Sequence, residues 1–178
     1  MYSDSDIKIA GDKPSRDIKR NAENRSGENG PDKAQIKKAK EWGKAVALEF
    51  IEDAKSAVEN AEDGEMLVQR RMLLSFTATV GFEQLCSDDA LVGVAQKSFI
   101  DTLKATDDGL YRTSGDTGAF SFYYLAFRRG GEVDRRIGQT FAMLCSHDGD
   151  PVYQELGEAL YCWFLSVVKD LAENLSFK

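Results

Sequence analysis

The amino-acid sequence predicts an all-α protein of about six helices, and three observations support this fold class. Apolar residues recur at spacings of three and four along most of the chain after position 31. Residues that are typical of helix starts and helix ends separate these stretches into segments of the usual helix length. No run of four or more residues alternates polar and apolar side chains between turn signals, as a half-buried strand would.

Residues 1–30 differ in composition from the rest of the chain. They combine charged residues of both signs with Ser, Gly and Asn and offer almost nothing to bury. Such a segment cannot offset the entropy lost when it is ordered. We therefore expect a flexible polar arm over 1–30, or one ordered on a neighbour, and a single helical domain over 31–178.

The first three helices follow from the apolar pattern of each segment. The first starts with Pro31, and its apolar or small residues recur at 36, 39, 43, 46, 50, 54, 57 and 61. The second, from Glu65 to Cys86, is apolar nearly all round, which is typical of a helix at the centre of a bundle. Ser87 is expected to cap the third, whose inward residues are Leu91, Val92, Ala95, Phe99 and Leu103.

The second half begins after TDDGLYRTSGD (106–116), the longest polar connection, which is interpreted as a loop. A fourth helix follows in TGAFSFYYLAFRR and stops at Gly130 and Gly131. The fifth begins at Glu132. Asp150 is expected to cap the last helix, with Pro151 at its first position.

One phrase occurs twice in the chain. VQRRMLLSF (68–76) is echoed by VDRRIGQTF (133–141), and LCSDD (85–89) by LCSHD (144–148), although aligning both pairs requires gaps. Three interpretations stay open. The match is chance, or the chain consists of two related three-helix halves around a pseudo-twofold axis, or it is a short solenoid of helix hairpins.

The overall composition excludes some classes of protein. Lys and Arg number 23 against 30 Asp and Glu, a net charge of −7, which disfavours nucleic acid and anionic membranes as partners. Three cysteines do not suggest a disulfide framework. No apolar run reaches the ~20 residues that span a bilayer, and the N-terminus lacks the apolar core of a signal peptide. We expect a cytoplasmic protein.

Three short stretches resemble parts of enzyme or metal sites. Asp116 opens a DTG triplet, but an aspartic protease needs two such carboxylates held by β-structure, and a helix cap explains the residue. His147, the single histidine, lies in CSHDGD (145–150), which turn chemistry explains better than metal binding. No phosphate-binding loop is present. The sequence therefore carries no catalytic signature, implies no metal or cofactor, and leaves open an enzyme with an unfamiliar site.

Four arginines flank a helix start in RRGGEVDRR (128–136). Arginine suits bidentate recognition of phosphate or carboxylate, and a helix N-terminus favours an anion. The hypothetical site for an anionic or acid ligand comprises Arg128, Arg129, Arg135 and Arg136, closed by Tyr111 and Arg112 of the 106–116 loop. The alternative is ordinary pairing with surface acids.

The fourth predicted helix carries an aromatic cluster: Phe120, Phe122, Tyr123, Tyr124 and Phe127. Four of them share one stripe, and Phe122 points elsewhere, which suggests a second partner. With the nearly all-apolar second helix, this predicts a homodimer. The favoured function is a non-catalytic interaction or regulatory module that self-associates and has an unidentified protein partner. The alternative is a helical domain that binds a small anionic or acid molecule.

Overall fold

The computed structural model describes residues 30–59, 64–114 and 117–176 of the chain. The all-α prediction is confirmed: the described residues form seven helices and no strand. The arm predicted for residues 1–30 lies outside them except for Gly30. The described residues from Pro31 onward form one compact unit.

The helices follow one another with short connections. In chain order they are α1 (Lys33–Glu59), α2 (Gly64–Leu85), α3 (Asp89–Thr106), α4 (Asp108–Thr113), α5 (Thr117–Arg128), α6 (Val133–Leu144) and α7 (Pro151–Asn174). In the three segments that the structure describes, no helix is both long and apolar enough to cross a membrane.

Helix α2 is the centre of the bundle, as its composition predicts. It contacts each of the other six described helices. Its residues 72–78 and 80–82 are buried on every side. Since neighbours from the same chain cover this helix, its apolar composition no longer requires a second subunit.

Aromatic packing joins three helices around α2. The ring of Phe50 in α1 lies 5.8 Å from that of Phe99 in α3 and 6.3 Å from that of Phe164 in α7. The indole nitrogen of Trp42 donates a buried hydrogen bond of 2.9 Å to the carbonyl of Val168. Burial of such large side chains is the main source of stability in a fold of this size.

Two helix crossings depend on glycine. A Cβ atom on Gly43 of α1 would lie 2.1 Å from the carbonyl oxygen of Ala95 in α3. A Cβ on Gly138 of α6 would lie 2.3 Å from the carbonyl oxygen of Gln154 in α7. At both crossings the two helix backbones are in direct contact, and no side chain fits between them.

The segment 106–116, interpreted from sequence as a loop, contains helix α4, which is the seventh helix. The side chain of Asp107 accepts a hydrogen bond from the amide of Leu110, which caps the first turn. Leu110 is buried, and Arg112 pairs with Asp108 one turn away at 2.8 Å. The prediction was wrong here because one buried leucine and local capping stabilise a turn too short to show a periodic stripe.

The helix ends agree with the sequence in some places and differ in others. Asp150 caps α7 and Pro151 occupies its first turn, as predicted. Gly130 and Gly131 follow α5 with φ of 65° and 70°, a conformation that favours glycine. Helix α3, however, is capped by Asp88 rather than the predicted Ser87, because the Asp88 carboxylate accepts hydrogen bonds from two amides of the first turn. The cap predicted at Asp116 lies outside the described residues.

Candidate functional site

The structure does not bring the six residues of the predicted anion site together. Arg112 and Arg135 are exposed and pair with acids of their own helix ends, the latter with Glu132 at 3.4 Å. Arg128 lies over the ring of Tyr124, 5.9 Å from its centre. Arg128 and Arg135 therefore have different partners, although both belong to the stretch 128–136.

The remaining three residues of that set divide between two cavities. Arg129 and Arg136 line one groove between α5 and α6, and Arg136 also donates a hydrogen bond to the carbonyl of Gly130. Tyr111 lines a different pocket, with the ammonium of Lys104 4.6 Å from the centre of its ring.

The aromatic residues that share one face of α5 belong to the hydrophobic core. The ring of Phe76 in α2 is surrounded by the rings of Phe120, Tyr123, Tyr124 and Phe127 at centroid distances of 5.9, 5.4, 5.2 and 6.2 Å. Tyr123 is completely buried, so it offers no surface to a second subunit. Of the five aromatic residues expected at an interface, Phe122 alone is largely exposed, at 49%.

Phe122 belongs to an apolar patch that we call the α5–α6 face. Phe122, Leu125 and Met143 are exposed by 49%, 58% and 40%, respectively. They line one groove of about 320 Å³, whose other lining residues are Ala126, Arg129, Arg136, Gln139, Thr140 and Asp148. Leu125 lies one helical turn after Phe122, so the spacing in the sequence was the available signal for this face.

A second concave site, which we call the aromatic pocket, lies where α2, α3, α4 and α5 meet. Its volume is about 250 Å³. Its lining residues are Ser75, Thr79, Phe82, Gln96, Phe99, Ile100, Leu103, Tyr111, Ser114 and Phe120. Sequence reasoning assigned Phe99 and Leu103 to the core, and no local pattern indicated that they would border a cavity with Tyr111.

Two of the four hydroxyl groups of the aromatic pocket, those of Thr79 and Ser114, are already engaged with the backbone. Thr79 Oγ1 donates to the carbonyl of Ser75 at 3.0 Å, and Ser114 Oγ donates to the carbonyl of Leu110 at 2.5 Å. Gln96 donates to Glu83 at 3.3 Å in an exposed position. Each hydroxyl has one hydrogen, so Thr79 and Ser114 can offer a ligand only acceptor lone pairs.

The pKa of Tyr123 is shifted further from the ordinary tyrosine value than that of Tyr161. Burial raises its pKa above the ordinary tyrosine value, and the neighbouring Cys145 thiol raises it further. Its hydroxyl has no hydrogen-bond partner among the described residues. A phenol held protonated in a closed core cannot act as an acid or base towards a substrate in solution.

The stretch around His147 forms a turn. The imidazole stacks on the ring of Tyr153 with 3.8 Å between centroids, and Cys145 is buried. Across residues 30–59, 64–114 and 117–176, no three His, Cys, Asp or Glu side chains are grouped so that they could hold a metal ion.

Comparison of the chain with protein-family models, with curated proteins and with solved structures gives no match.

Proposed function

We propose that this protein is a non-catalytic interaction module that forms a homodimer through the α5–α6 face. The observation that carries the proposal is the grouping of Phe122, Leu125 and Met143 around one groove. Single exposed apolar residues are ordinary, but adjacent ones indicate a surface that is covered in the functional state. Aromatic residues, Met and Arg are the types enriched in the buried centre of interfaces.

The charges around the groove favour a second copy of the chain as the partner. Arg129, Arg136 and Asp148 all line it, so the same face carries both signs. In a two-fold dimer the same patch of each subunit faces the other, which allows Arg129 of one copy to meet Asp148 of its partner. A ligand of one sign would leave one of these charges unmatched. The proposal sets this dimer in the cytoplasm, where the free cysteines stay reduced.

The test compares Leu125→Glu with Leu48→Glu by analytical ultracentrifugation of the full chain over a range of concentrations. Leu125 is 58% exposed in the face, and Leu48 is 48% exposed on α1 outside both cavities. We expect the wild type to dimerise and Leu125→Glu to raise the dimer dissociation constant at least about tenfold. The change is present twice in a two-fold interface, which increases its effect.

Leu48→Glu is the matched control, because it adds the same charge to a similarly exposed leucine. It should leave the dimer constant within about twofold. A wild type that stays monomeric at high micromolar concentration would contradict the dimer. Equal weakening by both variants would show that the interface lies elsewhere.

A second function, binding of a small molecule, is favoured by the aromatic pocket. Concave sites lined by apolar and aromatic side chains with a few polar groups are where proteins bind small ligands. Tyr111 and Phe120 lie there, at the junction of α4 and α5. The two proposals are compatible, because the aromatic pocket and the α5–α6 face share no lining residue.

A further inference from the structure

We propose that the aromatic pocket binds a neutral molecule of two fused aromatic rings that carries one hydrogen-bond donor, with indole as its simplest representative. The inference rests on the second proposed function, since it assigns the ligand class of the same pocket. Size, wall chemistry and hydrogen-bonding capacity each contribute to it.

The size of the cavity suits two rings. A dry apolar cavity of about 150 Å³ accommodates one benzene molecule. The aromatic pocket has about 250 Å³, which is too large for one ring to fill and too small for a polycyclic compound or a long acyl chain. A two-ring molecule in it makes van der Waals contact with the walls that the four helices supply.

The walls favour a flat aromatic ligand. Four of the lining residues are aromatic and come from four different helices: Phe82, Phe99, Tyr111 and Phe120. The rings of Phe82 and Phe99 are 6.2 Å apart and inclined by 67°, so they present an edge and a face at once. A planar ligand between such rings makes offset or edge-to-face contacts that an aliphatic chain does not make.

Two of the polar groups favour a ligand that donates a hydrogen bond, and the charges around the pocket disfavour an acid. Thr79 and Ser114 have given their hydroxyl hydrogens to backbone carbonyls and can only accept from a ligand. No charged side chain lines the pocket. Lys104, the neighbouring cation, lies over the ring of Tyr111 and is not among the lining residues. A carboxylate placed in the pocket would lose its hydration without gaining a cation.

The experiment titrates the full chain with three probes by isothermal calorimetry: indole, 1-methylindole and octanoate. 1-Methylindole keeps the two rings and lacks the donor, and octanoate is an aliphatic acid. We expect indole to bind one site per chain with the weak affinity usual for so small a ligand. 1-Methylindole should bind at least about fivefold more weakly, because its methyl group leaves an acceptor of the pocket unpaired.

Two variants locate the site. Ile100 lines the pocket and is 39% exposed, so Ile100→Trp can place its ring in the cavity and should abolish indole binding. Leu48→Trp adds the same ring outside both cavities and should leave binding unchanged. Thr79→Val keeps the side-chain shape and removes the acceptor, so it should weaken indole about fivefold while leaving 1-methylindole unaffected.

The contrary outcomes distinguish a wrong ligand class from the absence of a small-molecule site. Binding of octanoate in preference to indole, blocked by Ile100→Trp, would overturn the ligand class and keep a small-molecule site. Equal affinity for indole and 1-methylindole would overturn the required donor. If none of the three probes binds, both the inference and the small-molecule function fail.

Discussion

The two stretches of similar sequence, 68–76 in α2 and 133–141 in α6, bury residues at shared positions but differ in the helices they pack against. Phe76 and Phe141, the last residues of the two copies, are both completely buried. Cys86 and Cys145, which follow in the shared LCS turn, are buried as well. The repeated residues therefore describe the same buried face of a helix.

The helix partners of the two stretches differ. Helix α6 packs most extensively on its successor α7, whereas α2 packs more extensively on α7 than on its own successor α3. One aligned position explains this. Where the first copy has Leu73, completely buried, the second has Gly138, pressed against the backbone of Gln154. A pattern of apolar residues determines which face is buried, and the size of one residue determines how closely a neighbour approaches.

The arginine doublets differ in the same way. Arg70 makes a two-pronged ion pair with Asp53 of α1, at 2.6 and 3.0 Å, and its side chain is 17% exposed. Arg135, at the aligned position, is 64% exposed and meets Glu132 at 3.4 Å. The first arginine connects two helices, and the second lies on the surface of one.

The largest expected effect tests the aligned pair Leu73 and Gly138, each replaced by Ala. Leu73→Ala removes packed atoms and leaves a cavity, so it should lower the free energy of unfolding by about 2–5 kcal/mol. Gly138→Ala forces a methyl group against the Gln154 carbonyl and should lower it by about 1–3 kcal/mol. Urea unfolding followed by circular dichroism, at one fixed protein concentration, measures both.

Gly93→Ala is the control for this pair. A Cβ at Gly93 in α3 would meet nothing within 4 Å, so alanine there should raise the free energy of unfolding by about 0.5–1 kcal/mol. A Gly138→Ala protein as stable as the wild type would show that the α6–α7 crossing does not need the glycine.

The next effect compares the arginines, with Arg70→Met against Arg135→Met. Methionine keeps much of the side-chain length and removes the charge. Arg70→Met leaves the Asp53 carboxylate without its bidentate partner in a mostly buried position. It should lower the free energy of unfolding by about 2–3 kcal/mol, which is less than the loss for a fully enclosed ion pair. Arg135→Met should change stability by no more than about 0.5 kcal/mol, as expected for an exposed ion pair.

The matched change Asp53→Asn checks the assignment of this cost to the ion pair. If the cost comes from the pair, the double variant Arg70→Met with Asp53→Asn should be less destabilised than the two single variants added together. Additive losses would mean that Arg70 contributes by packing alone.

The sequence predicted the helical class, the central position of α2 and the stripe of α5, because each depends on periodicity within one helix. It missed α4, since that helix is held by the buried Leu110 and the cap at Asp107. It grouped four arginines of which only Arg129 and Arg136 line the same groove, because neighbours in sequence on a helix point to different sides. The two cavities depend on which helices meet, and no local pattern contains that information. Internal duplication stays a prediction. Phe99 and Phe164 are 65 positions apart, as are the stretches 68–76 and 133–141, and both pack on Phe50, yet the helix pairs around them pack differently.

The smallest expected effect concerns Tyr123, which connects the two copies of the phrase. Its ring stacks on Phe76 of the first copy with 5.4 Å between centroids, and Cys145, which follows the second copy, contributes to raising its pKa. A buried hydroxyl without a hydrogen bond lowers stability. Tyr123→Phe keeps the stacked ring and removes that group, so the free energy of unfolding should rise by about 1 kcal/mol near neutral pH.

The pH dependence of this gain distinguishes a desolvated phenol from a simple packing effect. Burial raises the pKa of Tyr123 in the folded chain, whereas in the unfolded chain the phenol ionises near pH 10. Above about pH 10 the folded state therefore binds more protons than the unfolded state, and the stability of the wild type falls as pH rises. Tyr161, whose pKa burial raises to about 12, adds a loss of the same sign to both proteins. The advantage of Tyr123→Phe should thus widen between about pH 9 and pH 11, and a constant difference across that window would mean that folding does not raise the pKa of Tyr123.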